Sequence, residues 1–334
     1  MKKIQIGRHV LPNNAVLAPM SGVSDLPFRR LASRFGAGMV VSEMVACESF
    51  LKGDAETQMR AEAQNNGIHV VQLAGREARW MGEAAKVIAG LGADVIDINM
   101  GCPAKKVTSG YSGSALMRDL DHALILIEAT VEASDAPVTL KMRLGWDETS
   151  INAPELARRA EAAGVQAITV HGRTRSQFYK GKADWQAIAA VKSEISVPLI
   201  ANGDCTGIEQ AEEMLVSSAA DGVMIGRGAY GRPWLPGYIG HYLQNGERLA
   251  PPAGQDLADL VIEHYETILG HFGTGAGLRI ARKHLGWYLE TATDQGGNEM
   301  PGVIKSTIMT SKEPAEVIRL VYDWLSSSNE RTAA

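Results

Sequence analysis

Residues 197–229 read VPLIANGDCTGIEQAEEMLVSSAADGVMIGRGA and hold one complete structural repeat. The run Pro198–Asn202 is short, apolar and bounded by turn residues, as a buried strand is. A glycine turn and an amphipathic stretch follow. SSAADG then closes that stretch and opens a second apolar run, Gly222–Ile225, which ends in another glycine turn. Strand, helix and strand in this order imply a right-handed crossover between parallel strands.

Six more runs of the same kind precede this repeat: Val16–Ala18, Met39–Ser42, His69–Leu73, Val95–Asn99, Val138–Met142 and Ala167–His171. The stretches between them have helical spacing. Ala84–Ala89 before Gly90 and Pro154–Ala163 before Gly164 are examples, with glycine in the usual place just past a helix end. Eight such units predict a (β/α)8 TIM barrel, a fold of ~250 residues. A doubly wound sheet fits less well, because it usually has fewer strands and no GxGxxG follows the first run. The pattern changes near residue 245. NGERLAPPAGQ (245–255) reads as a linker, and Gln255–Phe272, Gly277–Glu290, a short Val303–Met309 and Pro314–Ser326 read as helices. The expected organisation is a barrel over residues 1–245 and a small all-α domain over 246–334.

The 334 residues are 45% hydrophobic, which excludes a disordered chain, and no run is long enough to span a membrane. Three cysteines (Cys47, Cys102 and Cys205) give no disulfide framework and suit a reducing cytoplasm. Their spacing holds no structural zinc, and the acidic residues form no metal set, so no metal is expected. The lysine-bearing N-terminus lacks the apolar core of a signal peptide. A monomer is expected. A net charge of −5 and 35 glycines complete the composition. Mild acidity argues weakly against a nucleic-acid partner.

In a barrel of this kind the active site lies at the carboxyl ends of the strands. Those ends carry Ala18-Pro19-Met20, Ser42-Glu43, Gln72, Asn99-Met100-Gly101-Cys102, Lys141 with Arg143, His171-Gly172-Arg173, Asn202-Gly203-Asp204 and Gly226-Arg227-Gly228. The last two sets follow strands seven and eight, where glycine turns and a helix N-terminus can hold a phosphate. A plain pair of turns would read the same. Lys141, inside a buried strand, is a Schiff-base lysine, a cation beside a flavin, or a rim residue in an ion pair. Cys102, in a Gly-Cys-Pro turn before Lys105 and Lys106, is a nucleophile, a general acid or an inert thiol. Cys47 and Cys205 are read as packing residues. His171 and Arg173 share one face of an extended strand and could hold a phosphate or a carbonyl. Trp146, Phe178, Tyr179 and Trp185, set among basic residues, suit base stacking or surface packing.

Together APMSGVSDLPFR (18–29), SEMV (42–45), VQLAG (71–75), DINMGCPAKKV (97–107), GSALM (113–117), TLKMRLGW (139–146), HGRTRSQFYKGKADW (171–185), IANGD (200–204) and MIGRGAYGRPW (224–234) closely resemble the tRNA-dihydrouridine synthases, nearest the bacterial B class. The likeness extends into the tail through RIARKHLGWYL (279–289). It implies an FMN-binding barrel and a tRNA-binding tail. The implied reaction is reduction of the C5–C6 bond of particular uridines in the D-loop of tRNA, with NADPH as reductant. Carried over, Ala18, Pro19 and Met20 back the flavin ring, and Gln72 and Lys141 hydrogen-bond its pyrimidine edge. His171, Asn202, Gly203, Asp204, Gly226 and Arg227 bind the phosphate end. Asn99 and Arg173 face substrate or phosphate, and Cys102 is the general acid. Two rival readings share many of these features: a flavin barrel acting on free pyrimidines, like dihydroorotate dehydrogenase, and a non-catalytic tRNA-binding module.

Counting by segment changes the meaning of the acidic total. Three windows contain basic residues and no acid: 98–118 with Lys105, Lys106 and Arg118; 162–183 with Arg173, Arg175, Lys180 and Lys182; and 267–289 with Arg279, Arg282 and Lys283. Lys105, Lys106, Arg175, Arg279, Arg282 and Lys283 are therefore expected to contact tRNA phosphates, with a steep salt dependence.

Overall fold

The computed structural model describes residues 2–64, 66–294 and 299–326. Eight parallel strands close into a barrel: β1 (Ala15–Leu17), β2 (Met39–Val41), β3 (His69–Ala74), β4 (Val95–Met100), β5 (Val138–Arg143), β6 (Ile168–His171), β7 (Leu199–Asn202) and β8 (Gly222–Ile225). Each pairs with the next, and β8 pairs with β1 through Met224 and Val16, which closes the ring. All eight apolar runs of the sequence form these strands, with ends shifted by at most one residue.

Strand alternation sets the layers of the interior. Val16, Met39, Val41, Val70, Val95, Ala167, Ile200 and Met224 point inward at the amino-terminal half and form one apolar cluster. A hairpin of Gln5–Ile6 and His9–Val10 adds Ile4, Ile6 and Leu11 to that cluster. Two residues further along the strands, the same inward face becomes polar. Gln72, Asp97, Asn99, Thr139, Thr169, His171 and Asn202 are all less than one-tenth exposed.

The helices between strands are set by local signals. Asp25 caps Leu26–Arg34 by accepting the Phe28 N–H, and Pro27 lies in the first turn, where no helical hydrogen bond is lost. Asp184 caps Trp185–Lys192 in the same way. One helix end differs from the sequence reading. Gly90 lies inside the helix Ala78–Gly90, and Gly92 takes the left-handed conformation (φ +97°).

The chain divides into two compact units, residues 1–228 with 235–247 and residues 229–234 with 248–334. In the second, Gly254–Asp294 is helical on either side of Gly273, whose φ of +73° breaks the run where the sequence places its break. Helices Gly302–Thr310 and Pro314–Ser326 complete it. Residues 327–334 of the expected tail lie outside the described residues. The segment 229–234 groups with these helices. Tyr230 stacks on Trp287 at 3.9 Å between ring centres, and Gly231 lies so close to the Trp287 carbonyl that a Cβ would sit 2.3 Å from its oxygen. Among the described residues no helix is long and apolar enough to cross a membrane.

Candidate active site

The polar half of the barrel interior is one connected network. Asp97 of β4 accepts from Gln72 Nε2 (2.7 Å) and from Thr139 Oγ1 (2.6 Å). Asn99 donates to Gln72 Oε1 (2.7 Å), and its own oxygen accepts the backbone N–H of Gly101 (3.1 Å) and of Cys102 (3.0 Å). The Cys102 carbonyl accepts from the backbone N–H (3.1 Å) and hydroxyl (2.8 Å) of Ser114. Gly113 has φ +60°, and a Cβ there would lie 2.8 Å from the Cys102 oxygen. The Gly-Cys-Pro turn is therefore held from below by Asn99 and from the side by Ser114. Cys102 itself is part-exposed.

Lys141 of β5 stands over this network. It donates to Asn202 Oδ1 (3.2 Å), and Asn202 in turn donates to the Met224 carbonyl (2.8 Å). Burial lowers the Lys141 ammonium to about 8, assisted by nearby Arg143 and opposed by Asp97. The same burial raises Asp97 to about 6 against its hydrogen bonds. Arg143 links two loops: Nε donates to the Gly101 carbonyl (2.8 Å) after β4, and Nη1 donates to the carbonyls of Thr174 (2.9 Å) and Phe178 (2.8 Å) after β6.

His171 ends β6 amid four cations. Burial, together with Arg143, Lys141, Arg173 and Arg227, holds it well below the usual histidine range, so its ring is neutral at pH 7. Arg173 donates to its Nε2 (3.4 Å), which requires the imidazole proton on Nδ1. Gly203 makes room for the ring; a Cβ there would meet His171 Cδ2 at 3.0 Å. Arg227, half-exposed, lies 4.9 Å over the Tyr179 ring.

Three of the expected residues are engaged by partners within the protein. Arg173 is 1% exposed. Its donors go to the carbonyls of Lys180 and Gly181, to His171 and to both Asp204 oxygens, which braces the loops around it. Asn99 turns its polar atoms to Gln72 and the Cys102 turn. Asp204 is an anion engaged by Arg173 and Arg227. Burial raises its carboxyl, but those partners and the Ala183 N–H outweigh this and hold it low. A phosphate would be repelled by Asp204 and drawn to the cations that it orients.

Ala18, Pro19 and Met20 follow β1 with Gly226 across from them. A Cβ at Gly226 would make only ordinary contacts, 3.8 Å to Ala18 and 3.9 Å to Met20. Lys105 and Lys106 are exposed on the turn Lys105–Thr108, and Arg175 is half-buried with Nη2 3.4 Å from Thr108 Oγ1. In the helical unit Arg279 is exposed, and Arg282 donates to the Thr310 carbonyl (3.2 Å) at the end of Gly302–Thr310. Arg279, Arg282 and Lys283 lie three and four residues apart, on one helix face. Among the described residues no group of three His, Cys, Asp or Glu is arranged to hold a metal ion.

The sequence reading assigned no role to Asp97, although a carboxylate within an apolar strand, VIDIN, is the signal that marks it. It also gave none to Arg143, which lies on the same face of β5 as Lys141.

The profile of the dihydrouridine synthase (Dus) family matches residues 16–316. A probable tRNA-dihydrouridine synthase of Rhizobium leguminosarum bv. phaseoli is 59% identical over 310 residues, covering 93% of this chain and 94% of that one. The tRNA-dihydrouridine synthase B of Pseudomonas putida is 46% identical over 300 residues, covering 90% and 88%. Among solved structures, an old yellow enzyme homologue from Zymomonas mobilis shares the fold with a TM-score of 0.50 at 14% identity, covering 77% of this chain and 95% of that one. A match across nearly the whole barrel, joined to relatives aligned over about nine-tenths of both chains, establishes that this chain belongs to the dihydrouridine synthase family.

Proposed function

We propose that this chain is an FMN-dependent tRNA-dihydrouridine synthase, recharged by NADPH, with Cys102 as general acid. The observation that carries the reading is the meeting, at the carboxyl end of one barrel, of a braced part-exposed thiol turn with a cluster of cations beside glycine turns.

The residues present fit a flavin phosphate and ring. Gly226 lies beside Ala18 and Met20 and carries no side chain, so the backbone there can approach a flat ring closely. Lys141 has two N–H bonds beyond the one given to Asn202, and Gln72 one beyond that given to Asp97, enough for a pyrimidine edge. His171 Nδ1–H, Asn202, the Gly203 and Gly226 backbones and Arg227 suit a phosphate, with Asp204 orienting Arg227.

When bound, the flavin supplies a hydride to C6 of the uracil. Cys102 gives its thiol proton to C5 as the C5–C6 π pair is taken up there, and solvent restores the thiol. Asn99 fixes the height of that turn. Lys141 would place positive charge beside the pyrimidine edge of a bound flavin. The uridine must leave its stack to reach this site. Lys105, Lys106 and Arg175 meet tRNA phosphates at the barrel, and Arg279, Arg282 and Lys283 meet them on the helical unit.

Purified protein should be yellow, with the flavin spectrum, and tRNA from a strain lacking the gene should lack dihydrouridine at defined positions. Colourless protein that takes up no FMN, or an unchanged tRNA, would overturn the proposal.

A further inference from the structure

On the rim of the barrel five side chains from three loops alternate ring and guanidinium. The Arg118 guanidinium carbon stands 5.0 Å from the centre of the Tyr111 ring and 4.3 Å from that of Trp146. Arg175 stands 4.6 Å from Trp146 and 4.7 Å from Phe178. Two guanidiniums thus share one indole, which gathers positive charge on this part of the rim.

The neighbouring carboxylates do not neutralise that charge. Asp147 is engaged by Thr149 and Ser150 within its own turn. Asp119 caps the helix Leu120–Ala133, and Asp121 pairs with Arg159. The buried Arg175 Nε–H has no acceptor. Exposed Lys105 and Lys106 add to the excess.

Two ladder residues are also held in a rare backbone state. Tyr111 (φ +60°) and Phe178 (φ +53°) lie in the left-handed region, which costs a non-glycine residue of order 1 kcal/mol. Tyr111 is 49% exposed. Gly113, two residues on, folds this loop back against Cys102, so ladder and thiol share one loop.

We infer that the ladder of Tyr111, Arg118, Trp146, Arg175 and Phe178 grips the RNA strand flanking the target uridine, with a backbone phosphate at the two guanidiniums and a neighbouring base on Tyr111. This rests on the function proposed above. Alternating aromatic and cationic groups match alternating bases and phosphates, which a small acid or a lipid surface would not need. An extruded uridine leaves its neighbour unstacked, and a ring on the rim replaces the lost partner.

The test uses the flavin-loaded enzyme and an unmodified tRNA transcript. Tyr111→Ala and Arg118→Ala should each raise KM and the tRNA Kd about tenfold. Their kcat should stay within about twofold, and flavin content should be unchanged. Arg118→Lys should restore the salt dependence without the affinity, because lysine keeps the charge and loses the planar stack. Arg79 also lies over a ring, 4.6 Å from Trp80, on the helix Ala78–Gly90, so Arg79→Ala should change nothing. A short single-stranded oligonucleotide should quench tryptophan fluorescence in the native protein and not in Trp146→Phe. Unchanged KM and Kd in both alanine variants, with normal tRNA reduction by the native enzyme, would overturn the ladder alone. Native enzyme that neither binds nor reduces tRNA would overturn the underlying function as well.

Discussion

The two halves of the barrel interior are built on the same strands and the same alternation, yet they do opposite things. The lower half is a dry cluster of Val16, Met39, Val70, Val95, Ile200 and Met224, plugged by Ile4, Ile6 and Leu11. Fully burying each such side chain contributes roughly 1.5–3 kcal/mol. Two residues along, the inward positions become Gln72, Asp97, Asn99, Lys141, His171 and Asn202, and three titratable groups there are displaced by burial. Stability resides in one half. The other spends some of it to hold charge where a ligand can meet it, a pattern typical of functional sites.

This contrast can be broken first at its functional end. Cys102→Ala should lower turnover on tRNA by roughly 10²–10⁴-fold. Its flavin absorbance and thermal midpoint should stay near those of the native protein, and retained turnover would remove Cys102 as the acid. At the other end, Ile200→Ala leaves a cavity in the dry half. It should lower unfolding free energy by about 2–5 kcal/mol in denaturant titrations, with flavin still bound at low temperature. A loss of flavin affinity without a loss of stability would mean that the two halves are not separate.

The Lys141 ammonium, at about 8, gives a pH signature. Below pH 8 it is charged and attracts an anionic ring, so flavin affinity should fall as pH rises through about 8. Stability should move the other way. Between about 8 and the unfolded value of 10.5 the unfolded chain binds more protons, so stability rises with pH. Lys141→Met should bind FMN about tenfold more weakly, with no step near pH 8.

The smallest effect sharpens the comparison with a third region. In the helical unit His264 is buried and donates to or accepts from the Tyr288 hydroxyl (3.0 Å), and burial lowers it to about 3. His284, 4.8 Å away between ring centres, is lowered by burial and by His264. Both are neutral when folded and take up protons on unfolding below pH 6.5. The helical unit should therefore lose stability as pH falls, about 2 kcal/mol by pH 5 from His264 alone. Circular dichroism melts of native protein and His264→Gln would read this as a shallower acid loss in the variant.

Much of the fold was legible because it rests on periodicity. Each barrel strand is an apolar run, and the helix break at Gly273 is a glycine in a Gly-rich stretch. The grouping of residues 229–234 with the helices was not legible, because it depends on Tyr230 meeting Trp287, far off in sequence. At the site, the residue types and their strand ends were readable, and the partners were not. That Asp97 anchors Gln72, that Arg173 is consumed by Asp204 and two carbonyls, and that Asn99 supports the Cys102 turn all follow from cross-strand distances. No local spacing encodes those distances.

Uridine reduction by the polar half of this barrel, as proposed above, is tested by incubating the purified protein with FMN, NADPH and an unmodified tRNA transcript, then digesting the RNA and weighing its fragments. A defined uridine should gain two hydrogens, and the gain should weaken steeply as salt rises. An unchanged transcript, in a preparation that instead turns over free uracil or dihydroorotate, would contradict it.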